Sequence, residues 1–258
     1  MSKSAKYKSK SIISLPLEIL YTIQDYLSPI DQIELANLFL EEEIIRSLII
    51  RIVSNYGMII QCISNKLRDD QCVVLAAVSN NGYAIRFISE RLRDDKEVVH
   101  AAISENGMAL GSASARLRND RDVVLTAVLN NGKALQYASE RLRDDRDIVL
   151  TAVSSISNYG TTILDASGRL RNDRDVVLTA VLNNGKALQY ASERFRYDRE
   201  VVLAAVSNCG FALYYASEEC RDDREVVLAA VSNTGYALCY ATTRLQDDPE
   251  IVQACRLY

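Results

Sequence analysis

Short apolar runs recur along most of the chain, and polar residues separate them at a constant interval. Each run lies between an aspartate and a glycine. The eight glycines at this repeat position are 25 residues apart, except for one step of 28 that contains a three-residue insertion within Ser154–Ser157. The glycines are residues 57, 82, 107, 132, 160, 185, 210 and 235, and the aspartates are residues 70, 95, 120, 145, 173, 198, 223 and 248. A fixed period this short predicts an array of small supersecondary units rather than a compact fold around one active site.

The apolar run of each unit predicts a buried helix. In one example, Asp95 is suited to cap the helix, Val98–Ile103 supply its apolar residues, and Gly107 is suited to end it in the left-handed conformation. Pro249 follows Asp248 in the last unit and supports the same start, because proline is favoured at the first helical position. A buried strand would also be apolar, but the aspartate cap, the paired alanines and the eleven residues between aspartate and glycine favour a helix.

A second, amphipathic helix is predicted after each glycine. In the segment Lys133–Leu142 the apolar residues form one stripe and the polar residues lie elsewhere. The stripe consists of Ala134, Leu135, Ala138 and Leu142. The chain is therefore predicted to be all-α, with an α-solenoid of about seven to eight 25-residue helical hairpins over residues 44–258.

The repeat itself resembles a known family. The sequence DREVVLAAVSNTGYALCYATTRL at residues 223–245 and its siblings are similar to the repeats catalogued as domain of unknown function 4116, over roughly residues 58–258. Such repeats are associated with giant DNA viruses that infect amoebae and with some protists. Because the family has no established chemistry, the resemblance implies an interaction role at most. For a viral protein it would also imply the host cytoplasm.

Residues 12–43 do not follow the repeat. The sequence LPLEILYTIQDYLSPIDQIELANLF resembles an F-box, because a leucine–proline pair precedes apolar residues that share one helix face. The matching residues are Leu15, Pro16, Ile19, Leu20, Ile23 and Leu27. Ser28 and Pro29 are expected to break this helix, and Asp31 to cap the next one. The resemblance implies an N-terminal helical F-box-like cap that binds the adaptor subunit of cullin–RING ubiquitin ligases.

The alternative for this segment is a helix that only covers the first repeat, as solenoids require. The preceding residues 1–11 are expected to form a basic, disordered tail.

Composition argues against an enzyme and against metal, cofactor or membrane binding. The single histidine, His100, occupies a column otherwise filled by leucine, and the six cysteines lack the close pairs of a zinc site. No apolar run approaches the roughly 18 residues of a membrane span, and the N-terminal sequence is not a signal peptide. We therefore expect reduced cysteines and a cytoplasmic location.

Nucleic-acid binding is not expected, because 30 basic and 34 acidic residues give a net charge of −4. An RNA-binding solenoid would use arginines near the ends of the second helices together with a tyrosine column. These residues are Arg91, Arg93, Arg116, Arg118, Arg141, Arg143, Arg194 and Arg196, with Tyr137, Tyr190, Tyr215 and Tyr240. Nearby acidic residues favour exposed ion pairs for the arginines instead, and packing between repeats explains the tyrosines.

Two columns vary within an otherwise uniform repeat. The first follows each glycine and the second lies three residues later, so both are predicted to share one face of the second helix. We call these columns the variable stripe. Its candidate partner-binding residues are Tyr83, Arg86, Met108, Lys133, Gln136, Lys186, Gln189, Phe211, Tyr214 and Tyr236. Sequence drift on an exposed face would produce the same variation.

Together these features predict a non-enzymatic adaptor for protein–protein interaction that needs no cofactor. The F-box-like segment would engage a ligase adaptor subunit, and the variable stripe would hold a target protein. A repeat scaffold without a ligase role is the alternative, and an RNA-binding solenoid is a third interpretation.

Overall fold

The computed structural model describes residues 28–31, 33, 42–155 and 161–255, with residues 42–45 described by their backbone only. Throughout these ranges the regular elements are helical and no strand occurs. The chain divides into two compact units, Met1–Ser114 and Ala115–Tyr258. Within each unit, consecutive repeats pack against one another. The prediction of an all-α repeat solenoid is therefore confirmed.

The first unit alternates α-helices with 3₁₀ helices. Its α-helices are Glu42–Asn55, Gln71–Asn80, Glu90–Arg93 and Lys96–Glu105. Its 3₁₀ helices are Gly57–Cys62, Leu67–Asp69, Gly82–Phe87 and Gly107–Ser112. The helix Glu42–Asn55 packs on the helix Gln71–Asn80, so it is the first layer of the array among the described residues.

Ahead of this layer, a helical turn begins at Pro29. The Asp31 backbone N–H donates a hydrogen bond to the Ser28 side-chain oxygen at 3.3 Å. Ser28 therefore caps this turn and Asp31 lies inside it, so the expectation that Asp31 is the cap is wrong.

The second unit continues the same alternation. Its α-helices are Arg121–Asn130, Glu140–Arg143, Arg146–Ser154, Thr162–Asp165, Arg174–Asn183, Arg199–Asn208, Glu218–Arg221, Arg224–Asn233, Thr243–Gln246 and Pro249–Cys255. Its 3₁₀ helices are Leu117–Asn119, Gly132–Tyr137, Leu170–Asn172, Gly185–Tyr190, Glu193–Arg196, Gly210–Tyr215 and Gly235–Tyr240.

The first helix of each repeat begins as predicted. The Asp145 carboxylate accepts hydrogen bonds from the backbone N–H groups of Asp147 (3.1 Å) and Ile148 (3.2 Å). This satisfies two of the N–H groups that a helix start leaves without a partner. The equivalent aspartates accept the same two bonds at residues 70, 95, 120, 173, 198, 223 and 248.

The predicted second helix is not continuous. Gly132–Tyr137 is a 3₁₀ helix, Ala138 is extended, and a separate one-turn helix begins after Ser139. The break allows the Ser139 backbone N–H to donate to the Arg118 carbonyl of the preceding repeat at 2.9 Å. The predicted apolar stripe of this segment nevertheless lies in the core, because its four residues are all buried.

The repeat glycines serve a purpose different from the predicted one. Gly185 does not have a positive φ, and the preceding helix ends at Asn184 with φ −153°. A Cβ at Gly185 would lie 2.1 Å from the carbonyl oxygen of Ala205 in the next repeat. Glycine is therefore required by the close approach of two repeats, and the prediction of a left-handed helix end is wrong.

Two unusual residues occupy ordinary packing positions. His100 is half-buried, as are the leucines of its column, including Leu125 and Leu150. Cys220 is buried at the position where the neighbouring repeats have Phe195 and Leu245. Burial raises the pKa of the Cys220 thiol, so it is neutral at physiological pH and packs as a small apolar group.

Candidate interaction surface

The candidate partner-binding residues of the variable stripe lie on 3₁₀ helices that open the second half of their repeats. In Gly210–Tyr215, for example, Phe211 and Tyr214 are one turn apart. Because a 3₁₀ helix has three residues per turn, positions i and i+3 are almost directly above one another. The two variable columns therefore share a face, although the helix is of a different type from the one predicted.

The stripe residues differ in how far they reach into solvent. Tyr236 is 84% exposed, Tyr214 61% and Tyr83 44%. Arg86, Gln136, Lys186 and Phe211 are also exposed, whereas Met108, Lys133 and Gln189 are half-buried. Their apolar neighbours on the same helices, such as Ala212 and Leu213, are fully buried. Buried neighbours thus fix the helical turn that carries each stripe residue.

The backbone of the stripe is also held by side chains of asparagine. Asn184 accepts a hydrogen bond from the Lys186 N–H at 3.0 Å. From the next repeat, the Asn208 side-chain oxygen accepts from the Gly185 N–H and its amide group donates to the Leu182 carbonyl, both at 2.8 Å. These bonds join consecutive repeats and give the stripe residues a fixed spacing.

An aromatic cluster forms on the stripe near the end of the second unit, and it consists of Phe211, Tyr214, Tyr215 and Tyr240. The ring centroids of Tyr214 and Tyr215 are 5.1 Å apart, and those of Tyr214 and Tyr240 are 5.2 Å apart. Phe211 and Tyr240 are separated by 6.3 Å. All three pairs pack edge to face, an arrangement that aromatic rings favour. Tyr214 thus connects two repeats and still exposes most of its surface.

The pKa of Tyr240 lies above its usual value. The largest cause is the neighbouring Cys239 thiol, whose ionised form would repel a phenolate, and partial burial and the nearby Tyr214 add to it. The Tyr240 hydroxyl is therefore protonated at neutral pH and can donate a hydrogen bond to a partner.

A groove beside the aromatic cluster has a volume of about 410 Å³. Its walls are Glu193, Arg196, Tyr197, Tyr214, Tyr215, Ala216, Ser217, Glu218 and Arg221. We call it the Tyr214 groove. Glu193 and Glu218 are exposed, and among the described residues neither has an ion-pair partner. The groove therefore combines tyrosine rings with two available carboxylates.

A ladder of ion pairs joins successive repeats on their first helices. Arg199 Nε lies 2.8 Å from an Asp223 carboxylate oxygen, and Arg199 also pairs with Glu225. The same pattern links Arg121 to Asp145 and Asp147, Arg146 to Asp173 and Asp175, Arg174 to Asp198 and Glu200, and Arg224 to Asp248 and Glu250. The hydrogen bond from Arg199 is the main cause that lowers the pKa of Asp223, so this carboxylate stays ionised at neutral pH.

Several of the arginines considered for RNA binding form hydrogen bonds or ion pairs within the array. Arg91 contacts the Asp69 carboxylate at 3.0 Å, and Arg141 donates to the Asn119 side chain at 3.0 Å. Arg196 donates to the Gln189 carbonyl at 2.9 Å. The Nε atoms of Arg93, Arg118 and Arg143 are buried without a hydrogen-bond partner in the described part of the chain, so these atoms are not accessible to a phosphate. These contacts support the interpretation of structural ion pairs and caps over that of a ladder of phosphate-binding groups.

Metal-ligand clusters, membrane-spanning helices and disulfide bonds are absent from the described ranges. There, no three histidine, cysteine, aspartate or glutamate side chains come together as metal ligands would. The same ranges contain no helix long and apolar enough to cross a bilayer. All six cysteines are free thiols.

Several predicted residues cannot be placed. Those of the F-box-like segment, Leu15, Pro16, Ile19, Leu20, Ile23 and Leu27, lie outside the described residues, as does the tail 1–11.

The sequence prediction missed two parts of the surface. Tyr215 and Tyr240 are half-buried, and Tyr240 packs between repeats as predicted, but the sequence does not indicate that both join Tyr214 in an aromatic cluster. The Tyr214 groove was not predicted either, because Glu193 and Glu218 come from consecutive repeats. The only signal for the cluster was the adjacent pair of tyrosines at 214 and 215 in a column that is otherwise variable.

Comparison with protein families agrees with the repeat architecture. The family described as domain of unknown function (DUF4116) matches residues 45–93, 95–143, 120–159, 145–196 and 198–246. Most of these matches span two of the 25-residue repeats, and the match at 120–159 overlaps both of its neighbours in a register one repeat away. No curated protein and no solved structure matches the chain. Since the matches cover most of its length, the chain belongs to the DUF4116 family.

Proposed function

We propose that the protein is a non-enzymatic scaffold that binds another protein through the variable stripe. The observation that carries this proposal is the exposure of Tyr83, Phe211, Tyr214 and Tyr236 on turns that are anchored by buried residues. The anchoring residues are Ala84, Ala212 and Ala237. Exposed aromatic residues on a rigid support lose little conformational freedom on binding and are common anchors of interfaces. Family membership agrees with a repeat scaffold, and the stripe is the part of the repeat that differs from copy to copy.

The test is partner capture by a stripe variant. Replacing Phe211 and Tyr214 together by alanine is expected to remove most of the specifically captured protein, because truncating an aromatic anchor typically costs about 2 kcal/mol or more of binding free energy. The measurement is quantitative mass spectrometry of proteins captured from a eukaryotic lysate by wild type and by the variant.

The matched control is Tyr56→Ala. Tyr56 is 56% exposed, close to the value for Tyr214, but it lies outside the stripe. The control is expected to retain the wild-type melting temperature, and the stripe variant to lose only the small contribution of its ring contacts. If capture by the stripe variant equals that of the control, or falls only together with stability, the stripe is a packing surface and the proposal is wrong.

The scaffold is also proposed to recruit its target to a cullin–RING ubiquitin ligase through residues 12–43. This part rests on the sequence pattern alone, in which a leucine–proline pair precedes an apolar helix face. The proposed location is the cytoplasm, which the free thiols at all six cysteines suit.

Replacing Leu15 and Pro16 by alanine is expected to abolish co-purification of the ligase adaptor, because it removes an apolar anchor and a residue favoured at a helix start. The array should still fold, because the buried residues described in it begin at Leu48 in the helix Glu42–Asn55. The measurement is co-purification with the adaptor subunit, together with thermal unfolding. A variant that keeps the adaptor contradicts the ligase role, and one that unfolds the array identifies the segment as a structural cap.

A further inference from the structure

We infer that the aromatic cluster and the Tyr214 groove bind a basic segment of the partner protein, one that carries arginine or lysine side chains. The inference rests on the proposed function and names the chemical class of its partner. Three independent features of the described residues support it: the local charge, the available carboxylates and the exposed rings.

The charge of the chain is concentrated around the aromatic cluster. The two repeats at residues 198–247 contain eight acidic and four basic residues, a formal charge of −4. The whole chain has the same net charge of −4, so its remaining residues are neutral on balance. A local negative potential attracts cationic segments and increases their association rate.

The carboxylates of the groove are available to such a segment. Most acidic side chains nearby already have partners, since Asp223 pairs with Arg199 and Asp222 with Arg244. Among the described residues, Glu193 and Glu218 have none, and both line the groove. A guanidinium or ammonium group of the partner would therefore not have to displace an internal cation.

The exposed rings suit the same ligand. Tyr214 is 61% exposed and Tyr197 is 57% exposed, and both line the groove. A cation close to the face of a tyrosine ring is attracted by its quadrupole, and arginine stacks on such faces most often. Rings and carboxylates in one groove thus provide both of the interactions that an arginine side chain makes best.

The two arginines of the groove are half-buried side chains of the repeat. Arg196 donates to the Gln189 carbonyl, and the Nε atoms of Arg196 and Arg221 are buried without a hydrogen-bond partner among the described residues. Arginine recurs in this column at residues 68, 93, 118, 143, 171, 196 and 221. An equivalent groove, with a volume of about 370 Å³, contains Arg143 and Arg171 but has Leu164, Asp165 and Gly168 in place of Tyr214, Tyr215 and Glu218. The aromatic rings and the second glutamate, and not the arginines, therefore distinguish the Tyr214 groove.

The test is binding of a defined probe to the full chain. A fluorescein-labelled peptide of repeating Arg-Gly-Ser units is titrated with the protein, and fluorescence anisotropy reports binding. We expect saturable binding that weakens as salt rises from about 0.05 to 0.3 M, because screening reduces attraction between exposed charges. Tyr214→Ala is expected to weaken it about tenfold or more, whereas Tyr214→Phe, which retains the ring, should bind nearly as wild type does.

Two further variants test whether the carboxylates of the groove contribute to binding and whether the effect is confined to the groove. Glu193→Gln combined with Glu218→Gln is expected to weaken binding several-fold and to reduce its salt dependence. Tyr56→Ala, outside the groove, should bind as wild type does. Circular dichroism shows whether each variant keeps its helices. Should Tyr214→Ala unfold, the glutamine pair still decides the result, because both of its changes lie on exposed side chains.

Three results would overturn the inference. One is an Arg-Gly-Ser probe that does not bind, a second is a glutamate or phosphoserine version of the probe that binds as tightly, and the third is arginine binding that none of the groove variants alters. If lysate capture still depends on Phe211 and Tyr214 in any of these cases, the proposed scaffold function stands and only the basic partner is excluded. If capture does not depend on them either, both proposals fail.

Discussion

Replacing Gly185 by alanine is expected to destabilise the second unit by about 2–3 kcal/mol. The new methyl carbon would lie 2.1 Å from the Ala205 carbonyl oxygen, well inside van der Waals contact. That oxygen belongs to the backbone of the helix Arg199–Asn208 and cannot rotate away as a side chain would. The two repeats must therefore move apart, which disturbs the hydrogen bond from the Gly185 N–H to Asn208. Urea unfolding followed by circular dichroism measures the loss.

Gly168→Ala is the matched control. It is an exposed glycine of the same unit with no atom near its added Cβ. Alanine there should leave stability unchanged or raise it by roughly 0.5 kcal/mol, because it restricts the unfolded chain. Equal midpoints for the two variants would show that the repeats do not approach as closely at Gly185 as described.

The repeat period and the helix starts could be predicted because they depend on local physics. An aspartate such as Asp145 caps the helix with its own side chain, three residues or fewer from the N–H groups that it accepts. No contact with another repeat is needed for that bond. The same holds for the apolar run, whose burial follows from composition and spacing alone.

The broken second helix could not be predicted in the same way. Residues Lys133–Leu142 have the apolar spacing of one continuous helix, and all of the apolar side chains are indeed buried. At the break, the Ser139 side chain caps the following turn, and its backbone N–H donates to the carbonyl of Arg118, which lies 21 residues earlier in the chain. Serine is a local signal for a helix start, but the bond to Arg118 depends on how the repeats stack.

Glycine was correctly identified as essential but for the wrong reason. A left-handed helix end and a close approach of two backbones both favour the residue without a Cβ. Only the position of Ala205 relative to Gly185 separates the two explanations. A glycine that recurs at a fixed repeat position therefore indicates that a Cβ is not tolerated there. Whether the reason is a positive φ or a close backbone contact is seen only from the neighbouring repeat.

The candidate surface was also predictable only in part: the variable stripe follows from the sequence, whereas the aromatic cluster and the groove depend on tertiary contacts. Comparison of the repeats located the stripe, because variable positions stand out against fixed ones without any knowledge of contacts. The aromatic cluster and the groove depend instead on Tyr214 meeting Tyr240 of the next repeat, and on Glu193 lying across from Glu218. Contacts between residues of consecutive repeats, such as these, cannot be predicted from the sequence of a single repeat.

Leu213→Ala is expected to cost about 2–5 kcal/mol of stability. Leu213 is fully buried on the 3₁₀ helix that also carries Phe211 and Tyr214. Removing its side chain leaves a cavity that the short, tightly bonded repeat has little freedom to fill. Because the same turn carries the stripe residues Phe211 and Tyr214, capture of the partner should weaken as well. Urea unfolding gives the stability, and peptide anisotropy the binding.

Leu182→Ala is the matched control, because it makes the same substitution at an exposed leucine. Leu182 is 62% exposed on the helix Arg174–Asn183 of the same unit. Its loss should change stability by no more than about 0.5 kcal/mol. Similar losses for the two leucines would mean that the 3₁₀ helix is not packed in the core as described. A large loss at Leu213 with unchanged probe binding would show instead that the stripe keeps its shape without the anchor beneath it, and that the binding residues are held by contacts between repeats.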